Sequence, residues 1–111
     1  ASGRTHEKIY NVALSGGRKA GRNGKAPAVG STVNLREATF TNAIGATELS
    51  TWWQDPDFNA AQAAFYYVRV IEIPRPRWTA YDEKFFGIQM SREVRRIVQD
   101  RAYSSPIWYN P

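Results

Sequence analysis

Apolar and polar residues alternate over five short stretches of this 111-residue chain, at 7–15, 32–42, 46–54, 64–73 and 104–110. Alternation with a period of two is typical of β-strands. The clearest stretch is "AFYYVRVIEI" at 64–73. One of its faces holds Phe65, Tyr67, Ile71 and Ile73, interrupted by Arg69, and the other holds Tyr66, Val68 and Val70. The pattern therefore predicts a central strand that is covered on both faces.

Interruptions of this pattern predict where the strands break. In 32–42 the apolar positions change parity between Leu35 and Ala38, which predicts a bulge or short break near Arg36 and Glu37. The sequence Asp55-Pro56-Asp57 predicts a turn. After residue 73, "PRPRW" predicts an extended path with few hydrogen bonds, because proline has no N–H to donate.

The last apolar stretch, "SSPIWYN", predicts a final strand beside 64–73, with Pro106 at an edge or bulge. Helical spacing occurs at 91–102, where Val94, Ile97, Val98 and Arg101 follow a Ser91 cap. Several short strands with at most one short helix, near 91–102, indicate a mainly β fold, an antiparallel β-sandwich. A chain of 111 residues suffices for one such domain, spanning 1–111.

Basic residues exceed acidic ones by 15 to 10, and four of them lie in the glycine-rich segment 15–31. This segment predicts a flexible loop that charge keeps soluble. The alternative interpretation is a polyanion contact through Arg18, Lys19, Arg22 and Lys25. No window is apolar enough to predict a membrane span, and without cysteine the chain has no thiolate chemistry.

Few residues favour catalysis or metal binding. His6 is the only histidine, so the chain cannot build a cluster of several histidines. Asp55, Asp57 and Asn59 match the first ligand positions of an EF-hand-like loop, but Ala60 replaces the required glycine and Tyr66 the closing glutamate. We therefore predict a turn there, and no catalytic, metal-binding or cofactor-binding residue in this chain.

Three blocks carry a resemblance to a known family: "EKIYNVALSGGRK", "FYYVRVIEIPRPRW" and "SSPIWYNP". They resemble the C-terminal part of the bacterial DUF3604 family, over nearly the whole chain. Members are longer proteins similar to PHP-like metal-dependent hydrolases. The resemblance implies a parent that holds a divalent metal in another domain, through a "GDLHVHT"-like block that these residues lack. It also implies a periplasmic or otherwise extracytoplasmic location.

The resemblance further implies two strands of the same β domain before this segment. The chain would then be an immunoglobulin-like or fibronectin-like sandwich that is incomplete at the N-terminus, with Ala1–Arg4 as the remnant of a hairpin turn. Because an incomplete sandwich has an unpaired edge, we expect that edge to pair with the remainder of the parent chain or with a second copy. We expect neither a membrane nor a nucleic acid as partner.

The function implied is that of a non-catalytic accessory domain with a structural or substrate-positioning role. If it contacts substrate, we expect Arg75, Arg77 and Trp78 to do so, because a proline-stiffened loop would present an aromatic ring and two cations. Alternatively, Trp78 packs back onto the domain. Two other functions stay open: a free-standing polyanion-binding or nucleic-acid-binding module using the basic loop, and a carbohydrate-binding module using surface tryptophans.

Overall fold

The computed structural model describes residue 3 and residues 5–111, so the predicted hairpin remnant at Ala1–Arg4 lies almost wholly outside the described residues. The described residues form mainly antiparallel strands with one short helix, which confirms the predicted class of fold. In chain order the elements are β1 (Ala64–Tyr66), β2 (Arg69–Ile71), β3 (Arg75–Pro76), α1 (Trp78–Phe86), β4 (Ile97–Val98), β5 (Arg101–Tyr103) and β6 (Ile107–Tyr109).

The strands pair in a nested order. β1 pairs with β6, β2 with β5 and β3 with β4, all antiparallel. The two arms, 64–76 and 97–109, therefore form one long interrupted hairpin, which we call the ribbon. Residues 77–96, including α1, connect the arms, and we call them the tip. The final strand lies beside the first arm, as predicted.

Two offsets in register divide the ribbon into three ladders. Between the first two ladders, residues 67–68 face 104–106, so the second arm has an extra residue. Between the next two, residues 72–74 face 99–100, so the extra residue is on the first arm. Pro106 lies in the first bulge, as predicted, and Pro74 in the second, so neither interrupts a ladder by lacking an N–H.

The helix lies at Trp78–Phe86, so the prediction of a helix near 91–102 was wrong. In that segment Ile97 and Val98 pair with β3, and Arg101 pairs with Ile71. Their backbone groups are used in ladders, and this tertiary pairing overrides a weak helical spacing. Ser91 begins a single turn instead, in which its carbonyl accepts the Val94 N–H at 3.1 Å.

The position of α1 follows from its two ends. The Arg77 N–H donates to the Arg96 carbonyl at 2.8 Å, which extends the ribbon by one bond before the helix begins. The "PRPR" segment is therefore extended as predicted, but it is paired. At the other end, Gly87 adopts the left-handed conformation at φ 62° and donates its N–H to the Glu83 carbonyl. A glycine at this position is a common helix stop.

Residues 5–60 contain one isolated bridge, in which Asn34 and Thr39 exchange backbone hydrogen bonds of 2.8 and 3.1 Å. The residues between them form a turn, with Ala38 at a φ of 49°. The predicted break near Arg36 and Glu37 is thus confirmed, as a turn rather than a bulge.

The strands predicted at 7–15 and 46–54 are wrong, because neither segment makes ladder bonds. Both contact the ribbon through side chains: the Trp53 ring lies 6.3 Å from that of Tyr66, and the Tyr67 hydroxyl donates to the Glu7 carboxylate at 3.1 Å. The predicted turn after them is confirmed, since the Asp57 N–H donates to the Asp55 side chain at 2.9 Å.

Little of the described chain is buried. The radius of gyration is 18.9 Å, whereas a compact domain of this length has about 13 Å. The buried residues are small: Ser15, Ala38, Pro76, Thr79 and Ala80. The prediction of a central strand covered on both faces was wrong. Within 64–73, β1 and β2 each pair with one described strand, and Phe65 is 47% exposed. The immunoglobulin-like sandwich, which needs a second sheet, stays a prediction.

Candidate binding surface

The three predicted contact residues, Arg75, Arg77 and Trp78, lie together around one shallow cavity of about 420 Å³. The ribbon positions them, because β3 ends at Pro76 and α1 begins two residues later. The cavity is completed by side chains that were not predicted as contact residues: Tyr81 from α1, Val98 from β4, and Asp100. Val98 and Asp100 are more than 20 positions along the chain from Arg75, and only the pairing of the arms brings them near.

Arg75 is held by two carboxylates. Its guanidinium donates to Asp100 and lies 3.7 Å from the carboxylate of Glu72. The hydrogen bond to Asp100, with the charge of Glu72, raises the pKa of Arg75 above its ordinary value. Arg75 therefore serves mainly to fix the wall of the cavity, and it offers less net charge to a ligand than the sequence suggested.

Trp78 is the exposed aromatic residue of this cavity, and Arg77 beside it is half-buried. The Arg77 guanidinium carbon lies 5.6 Å from the centre of the Trp78 ring, a cation–π contact. Trp78 is 59% exposed, so the described residues do not cover it as the alternative interpretation required. An aromatic ring beside a cation suits a ligand with an apolar surface and a negative charge. A contact with substrate stays a prediction.

The basic loop at 15–31 contains no helix or strand, as expected for a loop. Arg18 lies at its base, where its guanidinium donates to the carbonyls of Ser15 and Pro27 at 3.0 and 2.9 Å. Arg18 therefore closes the loop, whereas Lys19, Arg22 and Lys25 are exposed. The polyanion function stays a prediction, with three exposed cations to support it.

Aromatic side chains line one face of the ribbon, which we call the open face. Phe65 and Tyr67 are 6.3 Å apart with nearly parallel rings, Trp108 is 5.1 Å from Phe65, and Tyr103 is 6.1 Å from Tyr67. All four residues are exposed, Trp108 by 67%. Arg69 lies on the same face by strand alternation and pairs with Tyr103. The sequence predicted this face but not its exposure.

The opposite face of the ribbon is partly covered by residues 7–10 and 53–60. Asp55 and Asp57 accept hydrogen bonds from Tyr66 and Tyr10, and Lys8 also donates to Asp57. The Asp57 carboxylate raises the pKa of Lys8 to about 12, and Lys8 in turn lowers the pKa of Asp57. These carboxylates hold the N-terminal segment against the ribbon.

The described residues contain no group of three His, Asp or Glu side chains arranged to hold a metal ion. The described helix has nine residues and is too short to cross a membrane.

The family comparison covers every residue. Residues 1–111 match the family described as "Protein of unknown function (DUF3604)". The chain therefore belongs to the DUF3604 family, which confirms the resemblance carried by the three sequence blocks. No curated protein and no solved structure matches the chain. The kinship with PHP-like hydrolases stays a prediction.

Proposed function

We propose that this chain is a non-catalytic accessory β domain of a longer metal-dependent hydrolase, with a structural or substrate-positioning role. Membership of the DUF3604 family supports the proposal. The divalent metal would be bound by another part of the parent, and the parent would be periplasmic or otherwise extracytoplasmic.

The observation that carries the proposal is the exposure of the open face. Fully burying a large apolar side chain stabilises a protein by about 1.5–3 kcal/mol, and on this face Phe65, Tyr67, Tyr103 and Trp108 have only part of that gain. Contiguous apolar patches of this kind are typical of interaction sites. We propose that the face is covered by further strands of an immunoglobulin-like or fibronectin-like sandwich, supplied by the parent chain or by a second copy.

Backbone groups support the same proposal. Each of the three sheets has two strands, so each strand has an edge that pairs with no other described strand. Such edges readily add another strand. A covering partner that pairs with these edges would satisfy the backbone and bury the aromatic rings together.

Sedimentation of the 111-residue chain tests this proposal. We expect association that increases with concentration, because in the absence of the parent a second copy is the available cover. The double variant Phe65→Ser/Trp108→Ser should shift the chain toward monomer. The control Trp52→Ser/Phe85→Ser removes similar rings that are also exposed but lie outside the ribbon strands, and should leave association unchanged. A stable monomer at every concentration, or equal effects of the two double variants, would contradict the proposal.

A carbohydrate-binding function is the second candidate, and the row of rings on the open face favours it. Aromatic rings are common stacking surfaces, and Phe65 and Tyr67 lie within 12° of parallel. Binding should change the tryptophan fluorescence of the wild type but not of Trp108→Phe. Fluorescence that stays constant across a panel of neutral and acidic glycans would exclude this function.

A further inference from the structure

A second cavity, of about 400 Å³, lies toward the C-terminal end of α1. Its lining combines residues from two parts of the chain that are far apart in sequence: Leu35 and Arg36 from the turn between Asn34 and Thr39, and Glu83, Ile88, Arg92 and Arg96 from the tip. Three arginines and one acidic residue thus line this open cavity.

One arginine of this cavity is fixed and neutralised. Arg96 donates to the two carboxylate oxygens of Glu83 at 2.6 and 2.8 Å, and to the Met90 carbonyl at 2.7 Å. The Met90 N–H donates to Glu83 at 2.7 Å. Both charged side chains are largely buried, at 20% and 18% exposure. This network gives the cavity a rigid wall whose net charge is zero.

The other two arginines are not neutralised in this way. Arg36 is 93% exposed and lies 3.7 Å from its neighbour Glu37, whose carboxylate also accepts a hydrogen bond from Lys84. Arg92 forms no ion pair within the described residues. Beside these cations, Leu35 and Ile88 are half exposed and provide an apolar surface.

We propose that this cavity binds a small amphipathic anion, a carboxylate or phosphate attached to an apolar group. Arg36 and Arg92 would bind the anion, because the planar guanidinium matches the paired oxygens of both groups. Leu35 and Ile88 would contact the apolar part, while the Glu83–Arg96 pair holds the wall in place. This inference does not depend on the proposed accessory role.

Phenyl phosphate, inorganic phosphate and phenol are suitable probes for titration of the 111-residue chain by amide NMR at an ionic strength of about 0.15 M. We expect saturable shifts of the Leu35 and Ile88 amides with phenyl phosphate. It should bind roughly tenfold more tightly than inorganic phosphate, because the ring buries apolar surface. Phenol should bind weakly, because it lacks the charge.

The variant Arg36→Gln/Arg92→Gln should weaken the binding of phenyl phosphate about tenfold or more. The control Arg95→Gln/Arg101→Gln removes the same charge from exposed residues that do not line the cavity and should leave the affinity unchanged. Equal weakening by both variants would show non-specific attraction and overturn the proposal. It would also be overturned if shifts fell in the loop at 15–31, if phosphate bound as tightly as phenyl phosphate, or if no amide shift saturated.

Discussion

The tip and the open face of the ribbon each leave four aromatic rings exposed, but only the tip also contains buried residues and a largely buried ion pair. The tip contains two of the buried residues, Thr79 and Ala80, and joins its polar groups through Glu83, Arg96 and Met90. The exposed rings of the tip are Trp78, Tyr81, Phe85 and Phe86, whereas the open face exposes its four rings and has no buried residue. The tip is therefore stabilised mainly by contacts within this chain, whereas the open face would gain most of its stabilisation from whatever covers it.

The most deeply buried residues of the tip are small ones. Thr79 is buried and donates to the Arg95 carbonyl at 2.6 Å, which joins α1 to the segment before β4. Ala80 is 0% exposed, so its methyl group is fully buried. By contrast, Trp108 is far larger but is 67% exposed. In this chain, the size of an apolar side chain does not indicate how deeply it is buried.

The largest effect is expected from Ala80→Leu. A larger side chain at this fully buried position should displace α1 from the ribbon and lower the free energy of unfolding by about 1–3 kcal/mol. Urea denaturation followed by circular dichroism measures the change. Ala63→Leu, at an exposed position just before β1, is the matched control and should change it by less than about 0.5 kcal/mol. Equal effects at the two positions would contradict the burial of α1.

A smaller, pH-dependent effect is expected from the Glu83–Arg96 pair. Arg96 and the Met90 N–H lower the pKa of Glu83 below its ordinary 4.5. The stabilisation is therefore fully present above that ordinary value and is lost as the pH falls through the lowered one. Glu83→Gln should remove this dependence, whereas the exposed Glu48→Gln should retain it.

Amide hydrogen exchange at Met90, measured across the acidic range, detects this loss of stabilisation, because the Met90 N–H donates directly to Glu83. Protection in the wild type should decrease at low pH, and protection in Glu83→Gln should be lower at neutral pH and nearly constant. If the protection of Met90 in the wild type had the same pH dependence as in Glu83→Gln, the Glu83–Arg96 pair would not stabilise the tip.

The smallest effect on stability is expected on the open face. Trp108→Ser should lower the free energy of unfolding of the monomeric chain by less than about 1 kcal/mol, which is the scale of an exposed aromatic pair. Urea denaturation at low protein concentration measures it. A loss as large as that for Ala80→Leu would mean that the ring is buried within a single copy, and the contrast between the two regions would fail.

Local signals in the sequence predicted the elements whose cause is local. The turn at Asp55–Asp57, the break near Arg36 and the strand at 107–109 each follow from residue preferences over a few positions. Gly87 was a further signal of this kind, since a glycine beyond Phe86 could have indicated the end of α1. The helix was missed although Trp78, Tyr81 and Phe85 lie at the i, i+3 and i+7 positions of the pattern that predicts helices.

The sites were predicted less completely, because their partners are distant along the chain. Arg75, Arg77 and Trp78 are neighbours in the sequence and were found together, but Asp100 and Val98 join them through strand pairing. The Glu83–Arg96 pair spans 13 positions and crosses from α1 to the end of the tip. No short motif marks either arrangement.

The sequence by itself determined that this chain is mainly β, ends in a strand beside 64–73 and belongs with the DUF3604 family. The alternation of apolar residues and the positions of prolines affect only a few neighbouring residues, so their effects can be predicted from the sequence alone. Only the tertiary structure decided that 97–103 are strands rather than a helix, and which aromatic rings remain exposed. Both outcomes depend on which segments face each other. A residue's intrinsic preference for helix or strand, a few tenths of a kcal/mol, is smaller than the free energy of such pairing.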